Sequence, residues 1–466
     1  MTSRRAEIDL RRPLVYGFGL AGAAVVEALH RHGISGVMVA DDGPAVGSST
    51  AAELADAVGV LGASFVGSPR GDDVPTLVAQ ATSIFPSPGL PDDHLIFGVA
   101  TKLDVPVYGE FDLVDIWDTR PLIVITGTDG KTTVTTMVTE MFRADGRVVV
   151  DAGNNELPLV TAINDLNTEV FVVEASSFRL GHTQHFSPAV GTWLNFAPDH
   201  LDKHASLARY EHAKAKLFGF LGTEGIAVAN ADDPIVREQA RRAAEVWWFS
   251  INPDATDGFR IADGRLLTAE GAVLAEIADL PRSLPHDLSN ALAAAATALA
   301  AGASIEAVRS VLRTFAGLPH RMQLVAEHNG IRWYNDSKAT TPHATLAALA
   351  GFASAVLIAG GDSKGLDLSV LGSAAPHLRG VVAIGRAAPE VADAFPTGPE
   401  VRLAGSISEA VAIAAGLARH GDAVLLSPAC ASFDMFDNYG HRGRMFTTAV
   451  LDLLGPDHQL LEVAPT

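Results

Sequence analysis

Residues 121 to 133 read Pro-Leu-Ile-Val-Ile-Thr-Gly-Thr-Asp-Gly-Lys-Thr-Thr, an apolar run that passes through a glycine loop into a Lys-Thr pair. Such a segment aims successive backbone amides at one point, which suits the oxygens of a nucleotide triphosphate. Gly127 and Gly130 allow the turn, Lys131 adds a point charge, and the Thr132 hydroxyl can ligate Mg2+. Val134, Met137, Val138, Met141 and Phe142 then recur at helical spacing, so a helix with one buried face is expected to start where the phosphates would sit. Ile125 stands where the strict G-x-x-x-x-G-K-T spacing has its first glycine, which makes this a shortened variant of the loop. ATP is the expected ligand. An ordinary strand-to-helix turn is the competing reading.

A chain of 466 residues exceeds what one core usually supports and suggests about three domains. The formal net charge of -20 argues against a nucleic-acid partner, because the basic residues form no cluster beyond the pairs Arg4-Arg5 and Arg11-Arg12. A single cysteine, Cys430, leaves no internal disulfide framework and no Cys-based zinc site, in keeping with a reducing cytosol. The first ten residues carry charge but no apolar run, so no export signal is expected. The apolar stretch at 291 to 301 is mostly alanine and too short for a bilayer, which leaves a buried helix.

Short apolar strands alternate with helix-like segments throughout, the pattern of an α/β protein with parallel sheets. In the first hundred residues strands are expected at 14 to 16 and 37 to 40, with a Pro/Gly-rich turn from Phe85 to Pro91. A second unit has strands at 122 to 126, 170 to 174 and 190 to 194, and ends after an alanine-rich helix near 315, with Gly317-Leu318-Pro319 as linker. A third unit has strands at 355 to 359, 381 to 384 and 423 to 426. Ligands of such sheets sit beyond the carboxyl ends of the strands, so the loops there are where chemistry is sought.

Gly17-Phe18-Gly19-Leu20-Ala21-Gly22, followed by Asp41 at the end of the next strand, matches a dinucleotide fingerprint. NAD is one reading. A dehydrogenase has no use for the loop at 127 to 133, however, and the same geometry serves any nucleotide diphosphate, so a UDP-linked substrate fits better. A purely structural glycine turn is the third reading.

In the middle unit, Glu174 ends one expected strand, and Asn195-Phe196-Ala197-Pro198-Asp199-His200-Leu201-Asp202 follows the next. Both lie beside the expected phosphate loop, which makes Glu174 and His200 candidate metal ligands. Taken singly, Glu174 reads as a solvated strand terminus and His200 as a hydrogen-bonded loop histidine. The segment Tyr210 to Phe218 reads as an amphipathic helix with solvated lysines, and nothing in its pattern separates Lys214 from Lys216.

Gly-Thr-Asp-Gly-Lys-Thr-Thr at 127, Glu-Ala-Ser-Ser-Phe at 174, Asn-Phe-Ala-Pro-Asp-His-Leu-Asp at 195, His-Arg at 320, Tyr-Asn-Asp-Ser-Lys-Ala-Thr at 334 and Ser-Pro-Ala-Cys-Ala-Ser-Phe-Asp at 427 occur in the order found in the Mur ligases of peptidoglycan synthesis. The chain resembles that family over nearly its whole length, and most closely its D-glutamate-adding member. The resemblance implies three domains: a Rossmann-like UDP-substrate domain at 1-111, a central P-loop ATPase domain with a mostly parallel sheet at 112-317, and a Rossmann-like amino-acid-binding domain at 318-466.

It also implies roles. ATP would be held by Gly127, Thr128, Asp129, Gly130, Lys131, Thr132 and Thr133, with Asn290 toward adenine and Arg321 and Asp336 orienting the nucleotide. Thr132 and Glu174 would bind one Mg2+, and His200 a second together with a carbamylated Lys214; Lys216 is the fallback. Lys131, Glu174, His200, Lys214 and Arg321 would form the catalytic group. The UDP substrate would meet Gly19, Leu20, Ala21, Asp41, Ser87, Gly89, Asn154, Ser176 and His200. D-Glutamate would meet Lys338, Thr340, Lys364, Ser432, Phe433 and Tyr439, whose two lysines suit two carboxylates. Two departures stand out: Asp129 and Asp287 replace the asparagines that the family usually carries.

The implied activity is ATP-dependent joining of D-glutamate to UDP-N-acetylmuramoyl-L-alanine through an acyl phosphate, by a cytoplasmic monomer acting on small molecules, without nucleic acid or membrane. Another Mur ligase or a folylpolyglutamate synthase-like ligase is the neighbouring alternative. An NAD-dependent oxidoreductase and a nucleotide-switch protein are the alternatives from other classes.

Overall fold

The computed structural model describes residues 7–43, 51–69, 71–154, 157–200 and 203–455; Arg4, Arg5, Leu201 and Asp202 lie outside them. The described residues fall into two compact units, one of 1–196, 200–279 and 290–313, the other of 197–199, 280–289 and 314–466. Both are α/β. None of the described helices is long and apolar enough to cross a membrane.

The first unit holds two parallel sheets. A four-stranded sheet runs in the order Ser64–Gly67, Met38–Asp41, Pro13–Tyr16, Ser83–Pro86. Phe85 and Pro86 therefore close a strand, and the turn expected from Phe85 begins only after them. The six-stranded sheet is parallel throughout, in the order Glu245–Phe249, Ile226–Asn230, Val190–Trp193, Leu122–Thr126, Val170–Glu174, Val149–Gly153. Continuous apolar runs make buried central strands because side chains on both faces leave water: Leu122 to Thr126 and Val170 to Glu174 are buried at every position.

The helix Lys131–Ala144 buries Val134, Met137, Val138, Met141 and Phe142, the five residues that its spacing singled out. The alanine-rich helix is Pro285–Ala300, with Ala291 to Ala298 buried. The helix that ends near 315 is a separate one, Ile305–Thr314. A small antiparallel sheet, Arg260–Ala262, Arg265–Leu267 and Val273–Glu276, was not foreseen.

In the second unit a six-stranded sheet runs Gln323–His328, Ile331–Asn335, Ala423–Leu426, Ala355–Gly360, Leu378–Ile384, Glu400–Ala404. It is parallel except at its first pair, an antiparallel hairpin turning at Asn329 and Gly330, both at positive φ. The expectation of a purely parallel sheet is corrected to that extent. An Asn-Gly pair supplies the two left-handed residues that a tight hairpin needs.

The N-terminal glycines divide by task. A Cβ on Gly22 would lie 1.9 Å from the Gly17 carbonyl oxygen, so Gly22 lets the helix Leu20–Arg31 approach the strand end. A Cβ on Gly19 would meet open space, so this glycine leaves a face free. Gly22→Ala is expected to destabilise the protein by about 2 kcal/mol through that backbone clash. Urea unfolding checks it, and an unchanged midpoint would contradict the packing described.

Candidate active site

The glycine loop closes on itself through one side chain of the neighbouring strand end. Asn195 Oδ1 accepts from the amides of Thr128 (3.0 Å) and Asp129 (2.9 Å), and its Nδ2 donates to the Asp129 carbonyl at 3.1 Å. These bonds to residue 129 are made by its backbone, so aspartate in place of asparagine leaves the turn intact. Gly130 takes φ +83 at the helix N-cap, and a Cβ there would lie 2.6 Å from Asn290 Oδ1. Asn290, expected near adenine, thus sits against the loop.

Lys131 folds back, donating from Nζ to the Gly127 carbonyl (3.0 Å) and the Thr128 carbonyl (2.7 Å). Lys214 is 1% exposed and donates to the same Gly127 carbonyl at 2.5 Å. The solvated-lysine reading of its helix, Leu207–Phe220, therefore fails at this position. The ammonium also lies 4.7 Å from the centre of the Tyr210 ring, whose hydroxyl meets Thr128 Oγ1 at 3.1 Å. Lys216 goes elsewhere: it donates to the Gly181 carbonyl at 2.9 Å, lines a cavity of about 690 Å3 with Phe97, His182 and His204, and has its pKa lowered chiefly by burial. Of the two lysines, Lys214 is the one brought to the loop.

Glu174 ends the strand paired with Leu122–Thr126, in register with Ile125. It is buried at 5% exposure, which corrects the solvated-terminus reading. Its Oε1 accepts from Asn154 Nδ2 at 3.2 Å, and no cation pairs with it among the described residues. A carboxylate held dry without a counter-charge is costly, and a divalent cation would supply that charge. No cluster of three or more His, Cys, Asp or Glu that could hold a metal occurs among the described residues. Mg2+, which keeps several waters and binds substrate phosphates, does not require one.

His200 stands at φ +55 with its ring 4.9 Å from Phe178 and 6.2 Å from Tyr210. Behind it His204, which the sequence did not single out, bridges Ser177 Oγ (2.9 Å) and Asp92 Oδ2 (3.2 Å). Ser176 caps the short helix Ser177–His182 through the Arg179 amide. Asp41, expected to reach a ribose or base, spends Oδ2 on the Phe18 amide (2.6 Å) and Oδ1 on the Gly43 amide (3.0 Å), so it shapes the first glycine turn. Ser87 packs under Gly17, whose Cβ would come within 2.6 Å of the serine Cβ. Gly89 follows in the same loop, and Leu20 and Ala21 open the adjacent helix, with Leu20 62% exposed.

In the second unit Asp336 is enclosed, accepting from the Met322 amide (3.1 Å) and Ser427 Oγ (2.8 Å). It caps no helix; the following helix, Pro342–Leu349, is capped by Thr341. Asp287 pairs with Arg282 (2.8 Å), which also donates to the Arg321 carbonyl at 2.9 Å. The departure at 287 is thereby explained: the carboxylate anchors an arginine that holds the backbone of Arg321, a link that no sequence pattern announced. Lys338 lies 3.8 Å above the Tyr439 ring. Ser432 is buried, Phe433 is 70% exposed, and Lys364 is exposed at φ +50 with its amide on Asp362 Oδ1. Thr340 is half-buried two residues after Lys338.

Burial pushes the carboxyls of Asp336 and Asp112 up to about 7. Between about pH 4 and pH 7 the folded state then keeps protons that the unfolded chain has released, so stability falls as pH rises through that window. Asp336→Asn should remove one proton from this dependence, about 1.4 kcal/mol per pH unit. Urea unfolding at pH 5 and pH 7 reads the slope, and a slope equal to that of the unsubstituted protein would contradict the assignment.

Two family models match the chain: the Mur ligase middle domain over residues 125–298, and the glutamate ligase domain of Mur ligases over residues 320–430. The UDP-N-acetylmuramoylalanine--D-glutamate ligase of Thermobifida fusca (strain YX) is 37% identical, covering 96% of this chain and 100% of that one. The ligase of the same name from Methylococcus capsulatus (strain ATCC 33009 / NCIMB 11132 / Bath) is 37% identical, covering 96% of each. Among solved structures, MurF from Acinetobacter baumannii superposes with a TM-score of 0.58 at 16% identity, covering 96% of this chain and 94% of that one, a likeness of fold.

Proposed function

The chain belongs to the Mur ligase family, and from that premise we propose that it joins D-glutamate to UDP-N-acetylmuramoyl-L-alanine with ATP, releasing ADP and phosphate, in the cytoplasmic assembly of peptidoglycan precursor. The likeness to D-glutamate ligases along nearly the whole chain supports the choice of substrates. The observation that carries the chemistry is the buried Glu174 carboxylate, with no cation paired to it among the described residues, beside a glycine loop on which two lysines converge. The expected domain division at 111 and 317 belongs to this reading: UDP substrate on the first domain, ATP on the second, amino acid on the third.

A carboxylate does not react with an amine because oxide is a poor leaving group. The alanyl carboxylate oxygen therefore attacks the γ-phosphorus of ATP in line, forming a carboxyl-phosphate bond while the bond to the β-phosphate oxygen breaks and ADP leaves. The D-glutamate amine, once deprotonated, attacks the acyl carbon and expels phosphate. Catalysis in such transfers is largely positioning and charge neutralisation.

Lys131 would exchange its carbonyl partners for phosphate oxygens, the loop amides held by Asn195 would receive the same phosphates, and Arg321 would neutralise charge from the amino-acid side. Thr132 and Glu174 would hold one Mg2+, and His200 with a carbamylated Lys214 a second; when bound, Mg2+ neutralises charge on the phosphates. A lysine of ordinary pKa is neutral in about one molecule in 2,500 at pH 7, so the enclosed position of Lys214 matters to carbamylation. Asn154, Ser176 and His200 would align the alanyl end of the UDP substrate, and Gly19, Leu20, Ala21, Ser87 and Gly89 its nucleotide. Lys338, Thr340, Lys364, Ser432, Phe433 and Tyr439 would receive D-glutamate.

Phosphate release in the presence of ATP and UDP-N-acetylmuramoyl-L-alanine should require D-glutamate and should stay near background with L-glutamate or L-alanine. Release with UDP-N-acetylmuramate and L-alanine, and none with the alanylated substrate and D-glutamate, would move the chain to another branch of the family. Lys131→Ala should lower kcat by roughly a hundredfold or more with an unchanged unfolding midpoint. Asn195→Ala, which removes the side-chain acceptor shared by two loop amides and leaves the Thr128 amide only its bond to the Asn195 carbonyl, should raise the KM for ATP by about tenfold; an unchanged KM would remove Asn195 from the account.

A further inference from the structure

Arg442, in the first turn of the helix Tyr439–Leu454, is 1% exposed. Guanidinium groups are seldom so enclosed without a carboxylate partner. This one has no ion pair among the described residues, and burial pushes its pKa down to about 10, so it remains charged at neutral pH. Its hydrogen bonds go to neutral acceptors on two loops: Nε to Ser337 Oγ (3.0 Å), Nη2 to the Ser337 carbonyl (2.8 Å), and Nη1 to the carbonyls of Cys430 (3.1 Å) and Ala431 (3.3 Å).

Those acceptors immediately precede Lys338 and Ser432. Ser337 Oγ in turn donates to the Tyr439 carbonyl at 2.8 Å. Ala431 exchanges two backbone bonds of 2.9 Å with Asp362, whose carboxylate holds the Lys364 amide at 3.1 Å. Gly361 makes room for the arrangement, since a Cβ on it would lie 2.2 Å from the Ala431 carbonyl oxygen and 3.2 Å from Arg442 Nη1. A single planar fork thus joins the backbone beneath Lys338, Lys364, Ser432 and Tyr439.

We propose that Arg442 is a positioning residue for the acidic amino-acid substrate: its guanidinium fixes the spacing of the loops that carry Lys338 and Ser432 and adds a positive charge beneath the two carboxylates they receive. The inference rests on the D-glutamate reading. A lysine at this position keeps the charge but cannot span acceptors on two segments as the rigid fork does.

Steady-state kinetics on the full-length protein with ATP, UDP-N-acetylmuramoyl-L-alanine and D-glutamate provide the test. Arg442→Lys should raise the KM for D-glutamate by about tenfold or more while the KM values for ATP and the UDP substrate stay within about twofold. Ser337→Ala, which removes one acceptor and leaves the backbone contacts, should raise the same KM by a smaller factor and guards against a lysine variant that fails to fold. Equal increases in all three KM values, or no increase for D-glutamate in either variant, would overturn the positioning role and leave the ligase reading standing. An unsubstituted protein that turns over another amino acid and not D-glutamate would overturn both, and would show before any variant is compared.

Discussion

The amide of Asn195 is what the site depends on. A glycine loop has no shape of its own, because each glycine enlarges the set of conformations open to the chain. Here the Asn195 side chain takes up two amides and one carbonyl of residues 128 and 129, and fixes the loop against the end of the strand Val190–Trp193. The parallel sheet makes this possible, since register brings the ends of Leu122–Thr126, Val170–Glu174 and Val190–Trp193 to one edge. Loop, carboxylate and asparagine therefore meet through strand pairing, with no further motion of the sheet required.

Enclosed charge is the second theme. Glu174, Lys214, Asp336 and Arg442 are all at most 7% exposed. Lys214 and Arg442 rest on carbonyls, Asp336 on an amide and a hydroxyl, and Glu174 on one side-chain amide. Such sites are poor contributors to stability, because desolvation offsets what the hydrogen bonds return. For Glu174, a bound divalent cation would supply the positive charge that its side-chain amide partner does not.

Much of this was legible in the chain. Period and polarity marked the central strands and the buried face of the helix after the glycine loop, because both faces of an inner strand and one stripe of a helix must leave water. The ordered motifs pointed to the family. What escaped were elements whose signal is short or distant. The hairpin at Asn329-Gly330 and the small sheet turning at Asp263-Gly264 carry dipeptides that favour tight turns, and counting them would have found both. The links from Arg282 to Asp287 and from Arg442 to Ser337 could not be read, since nothing local separates an arginine that will be enclosed from one that will be solvated. Lys214 and Lys216 show the same limit: they lie two residues apart on one helix, and only the fold sends one to the glycine loop and the other to a cavity.

The central claim is that an alanyl carboxylate is activated by phosphoryl transfer beside Lys131. Isotope transfer tests it most directly. With UDP-N-acetylmuramoyl-L-alanine labelled with 18O in the alanyl carboxylate, turnover with ATP and D-glutamate should release inorganic phosphate carrying one 18O atom per product formed. Phosphate free of the label, alongside normal product formation, would contradict the account.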